Sequence, residues 1–192
     1  SFPAAGRPVP SLLRALLIQT ATDLIHDPAQ PGFTEFGWND PDTAQPVIYH
    51  AGPDWATGYG AANAVRATAA VRAHNFVEGT VTAGDGTDTY VINIPAGTPE
   101  LKFTLVWDDE AGNPMLANNA AQLVNNLDLT LEGPGGVVIR PWVLAALPQS
   151  NDLPGGAQDP IMRATHILPA TRGVDNLNNT EQVQTANPAA GV

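Results

Sequence analysis

The sequence predicts an α+β chain that is mainly β, with a small helical part followed by an antiparallel β-sandwich of jelly-roll type. Two observations carry this. Apolar residues recur at helical spacing before about residue 75, and after Asn75 they alternate with polar ones in short runs separated by glycine, proline and asparagine. The boundary is therefore placed between a helical segment, 1–75, and a sandwich domain, 76–192.

The first helix is expected over 10–24, where Pro10 and Ser11 mark its start and Leu12, Leu13, Leu16, Leu17, Ala21 and Leu24 form a wide apolar face. From Ile25 to Pro53 the text turns to proline, glycine, Asp and Asn, which predicts a long ordered loop with 46-PVIYH-50 as its short strand candidate. A second helix is expected over Ala61–Arg72, with Ala62, Val65, Ala69 and Arg72 along one side and small residues suited to close packing. Ahead of it stands 52-GPDWATGYG-60. A Gly-x-Gly before a helix can cradle phosphate on free N–H groups, but position 63 is Asn63 and no buried strand leads in. Gly58 and Gly60 are instead expected to permit a tight turn, with Trp55 and Tyr59 packed beneath it. The strand candidates are 88-DTYVINI-94, 100-ELKFTLVW-107, 127-LDLTLEG-133 and 137-VVIRPWVL-144. Trp107 and Trp142 lie within these patterns and are read as core, whereas Trp38 is the surface candidate.

The formal charge is -11, from 19 acidic and 8 basic residues, and Lys102 is the only lysine. With the basic residues scattered singly, so negative a field excludes a nucleic-acid or anionic-membrane surface. No apolar run approaches the roughly 18 residues of a spanning helix, so no membrane span is expected. The absence of cysteine excludes disulfides and thiolate zinc sites. The opening 1-SFPAAGRPVPSLL-13 lacks the basic and apolar regions of a signal peptide, and both ends read as cuts in a longer chain.

The run 15-ALLIQTATDL-24 followed by 52-GPDWATGYGAANAVRA-67 resembles the last part of the catalytic domain of subtilisin-like serine proteases, downstream of the nucleophilic serine. The stretches 101-LKFTLVWDD-109, 123-LVNNLDLTLEGPGG-136, 141-PWVL-144 and 173-GVDNLNNTEQV-183 resemble the jelly-roll domain appended to some large secreted subtilases, akin to the P domain of proprotein convertases. Together these matches span most of the chain. The resemblance implies a helical remnant of an α/β subtilase domain joined to the jelly roll. It also implies a non-catalytic C-terminal part of a secreted, extracellular serine endopeptidase that buttresses the catalytic domain. The implied partners are the remainder of that domain and, in the parent enzyme, a protein or peptide substrate. The family's Gly-Thr-Ser-x-x-x-Pro phrase is missing here. The serines are Ser1, Ser11 and Ser150, none after Gly-Thr, and His26, His50, His74 and His166 lack the catalytic histidine's glycine-rich helical context. The chain alone is therefore expected to be inert. The alternative is a stand-alone sandwich module that binds a glycan or a protein partner.

Clustered Asp and Asn oxygens at strand ends suit Ca²⁺, which takes hard oxygen ligands, and Asp108, Asp109, Asp128 and Asp175 are the candidate metal residues. The related jelly-roll domains often bind calcium in such loops. Asp and Asn are equally the natural turn formers, and Asn126 stands where the family's phrase has its first Asp, which removes one charge.

Overall fold

The computed structural model describes residues 8–25, 49–82, 84, 86–113, 115, 121–145 and 168–191. Two helices, α1 (Pro10–Thr20) and α2 (Ala64–Ala73), precede six short strands: β1 (Glu100–Val106), β2 (Leu131–Gly133), β3 (Val137–Ile139), β4 (Trp142–Val143), β5 (Thr171–Arg172) and β6 (Thr180–Ala186). The strands form three antiparallel pairs, β1 with β6, β2 with β3 and β4 with β5. The fold is thus a small mixed one, with two helices and short antiparallel strands in small sheets.

The centre is the β1–β6 pair, in register from Glu100 opposite Ala186 to Val106 opposite Thr180. Helix α1 packs on it and on α2. Leu12 and Leu16, one turn apart, are buried, while Leu13 and Leu17 remain on the outside. The seam between α1 and β1 is polar as well as apolar. The Gln19 amide donates to the Lys102 carbonyl at 2.8 Å and accepts from the Thr104 hydroxyl at 2.8 Å. Gln182, directly opposite Thr104, donates to that hydroxyl at 3.0 Å. Side chains alternate across a strand, so Glu181 and Val183 point to the other face. Both are 0% exposed, so the start of β6 is covered on each side.

The expected elements differ from these in ways that have physical causes. Helix α1 stops at Thr20, and Thr22 exchanges backbone bonds with Ala61, which draws the chain out of the helix. Helix α2 starts three residues later than expected, where the Asn63 side chain accepts from the Arg66 N–H at 3.0 Å, an N-cap. The expected strand 137–144 is split. Pro141 has no N–H to donate, and β3 and β4 on either side of it pair with different partners. The segment 88–94 makes no regular strand. Ile94 alone bridges to Gly191, and Tyr90 and Val91 are exposed on successive positions, so neither face is covered. The strand candidate at 46–50 and Trp38 fall mostly or wholly outside the described residues.

The glycine-rich turn is structural. Gly58 and Gly60 both have positive φ, and the backbones of Asp54 and Gly58 bond to each other in both directions. The buried Asp54 carboxylate accepts from the N–H groups of His50, Ala56 and Thr57 and from the Thr57 hydroxyl, which holds the loop from inside. Trp55 does not pack beneath the turn: it is 38% exposed, and its indole N–H reaches the Ala145 carbonyl at 3.2 Å. Tyr59 is the half-buried one. Trp107 is core, as expected, with its N–H on the Asn125 carbonyl at 2.8 Å. Trp142 lies between Gly52 and the Arg172 guanidinium, which sits 3.4 Å from the ring centroid in a cation–π contact.

Candidate functional site

Charged and polar side chains converge where the start of β6 meets the turn at Tyr59, the stretch before β2 and the loop 173–179. Glu181 is the centre of this cluster. Its Oε2 accepts from the Leu129 N–H, while Oε1 is buried with no hydrogen-bond partner. Burial pushes the Glu181 carboxyl up from 4.5 to about 7, and the nearby charges of Asp128 and Asp175 add to the rise. A neutral carboxylic acid is the cheaper form in such a place. Tyr59 is pushed up to about 12, first by burial and then by Asp175, with Arg14 acting in the opposite sense. Arg14, from α1, donates to the Asn179 side chain at 2.6 Å.

The four carboxylates singled out in the sequence have separate occupations. Asp108 accepts from the Ser11 hydroxyl at 2.9 Å, tying α1 to the end of β1. Asp109 accepts from the Val124 and Asn125 N–H groups and from the Asn125 amide. Desolvation would raise its pKa, but these hydrogen bonds outweigh it and hold the carboxyl below its usual range. Asp175 is buried and accepts from the N–H groups of Leu177 and Asn178 and from the Asn178 side chain, an Asx-type turn. Asp128 is exposed and lies within electrostatic reach of Glu181. Asp128 and Asp175 therefore share a neighbourhood, and Asp108 and Asp109 serve other contacts. Among the described residues, no three His, Asp or Glu side chains are placed to share one metal ion.

Glu181 escaped the reading of the sequence, because a glutamate in TEQVQTA reads as a solvated strand position. The available signal was its spacing: Glu181 and Val183 flank Gln182 in a period-two strand, so the glutamate shares a face with a core valine.

Ser11 is the one serine among the described residues, and its hydroxyl is committed to a carboxylate rather than an imidazole. A carboxylate is a weak base for a serine hydroxyl, so this pair has no means of generating a nucleophile. His74 serves as the C-cap of α2 in the left-handed region, with its ring 5.6 Å from that of Phe76. An open cleft of about 200 Å³ lies beside Asp109, Glu110, Gln122, Asn178 and Asn179, below the usual size of a small-molecule pocket.

Asp175 provides a test of what these carboxylates do. Removing it frees three donors that bond to a charged acceptor, and Asp175→Ala should cost roughly 2–4 kcal/mol. Thermal melts should show the same loss in chelator as in millimolar calcium at matched ionic strength. A loss confined to the calcium buffer would make Asp175 a ligand instead.

No protein-family model matches the chain, and comparison with curated proteins and with solved structures finds no match. No described helix is long and apolar enough to cross a membrane.

Proposed function

We propose that this chain is a non-catalytic, C-terminal part of a secreted subtilisin-like serine endopeptidase, and that it buttresses the catalytic domain of the parent enzyme. One observation carries the reading beyond the resemblance. Helix α2 is capped at both ends and has no buried residue, with Val65 79% exposed, and on α1 beside it Leu13 and Leu17 are 46% and 51% exposed. A small-residue helix is suited to close approach by another element, and apolar side chains on adjoining helices form the kind of patch that marks an interface. The rest of a subtilase catalytic domain is the occupant that the order of the sequence phrases suggests. On this reading the three antiparallel pairs belong to a jelly roll, and the Ser11–Asp108 bond helps fasten the helical part to it.

The chemistry of the parent would be acyl transfer through a Ser, His and Asp supplied from elsewhere. This chain contributes packing. Purified alone, it is expected to hydrolyse neither casein nor peptide esters and to bind a hydrophobic dye through the α1–α2 face. Leu13→Gln with Leu17→Gln should remove most of the dye signal while changing stability by less than about 1 kcal/mol, since both positions are exposed. Negligible dye binding by the unaltered chain, or hydrolysis abolished by Ser11→Ala, would overturn the reading. Dye binding left intact by the double change would place the patch elsewhere and remove the support drawn from α1.

A further inference from the structure

We draw no further inference here: the strongest candidate, the buried Glu181 carboxyl between Asp128 and Asp175 beside the start of β6, belongs to the site already described and stands among described residues that offer no three side chains placed to share one ion.

Discussion

Gly60→Ala is expected to destabilise the chain by more than about 3 kcal/mol, enough to lower the melting temperature by roughly 6–12 °C in a protein of this size. Two costs combine. Gly60 has φ of +98°, outside the conformations an alanine adopts readily, and a Cβ built there would lie 2.2 Å from the Thr22 carbonyl oxygen. That oxygen accepts the Ala61 N–H at 2.8 Å, in the bridge that joins the end of α1 to the start of α2. Relief of the clash therefore requires breaking the link between the two helices. Gly58→Ala is the control, because Gly58 has φ of +62° but open space around it. It should cost only about 1 kcal/mol, the price of the left-handed conformation alone. Urea denaturation of the three proteins measures both values. Equal losses at the two positions would show that the close approach to Thr22 is unimportant.

Glu181→Gln is expected to change the pH dependence of stability. The folded-state pKa is raised to about 7 from 4.5, so the folded chain holds a proton that the unfolded chain has released over that interval. The stability contributed by the neutral acid is fully present below about pH 4.5, declines as pH rises and is gone above about pH 7. The size is on the order of 3 kcal/mol, at 1.36 kcal/mol per unit. Glutamine keeps an acceptor for the Leu129 N–H and cannot ionise. The variant should therefore gain relative to the unaltered chain as pH rises from 4.5 to 7, then hold a constant advantage. Other acids titrate in both proteins and cancel in the difference. A difference flat across that interval would mean that Glu181 ionises normally and is not in the buried setting described.

Helical periodicity made both helices legible in the sequence, but the start of α2 was placed three residues too early because the Asn63 side-chain cap was not read. The end of α1 was not legible, because it is set by the bridge from Thr22 to a residue 39 positions later. The β part was legible where apolar and polar residues alternate, as in β1. It was hidden in β6, whose buried residues are Thr180, Glu181, Gln182 and Val183. The Gln182 amide is partnered by Thr104 and one Glu181 oxygen by the Leu129 N–H, contacts that no local pattern announces. The same effect governs the carboxylates: Asp108, Asp109 and Asp175 read alike in the sequence, and only their hydrogen-bond donors distinguish a helix fastener from two loop anchors.

The proposal that the α1–α2 face is a seat for a subtilase catalytic domain is tested most directly by reading the coding sequence upstream of Ser1. It predicts an open frame encoding a Gly-Thr-Ser-x-x-x-Pro phrase shortly before Ser1 and a catalytic histidine further upstream. An initiator methionine immediately ahead of Ser1, or an upstream frame without those phrases, would contradict it and leave a self-sufficient module in its place.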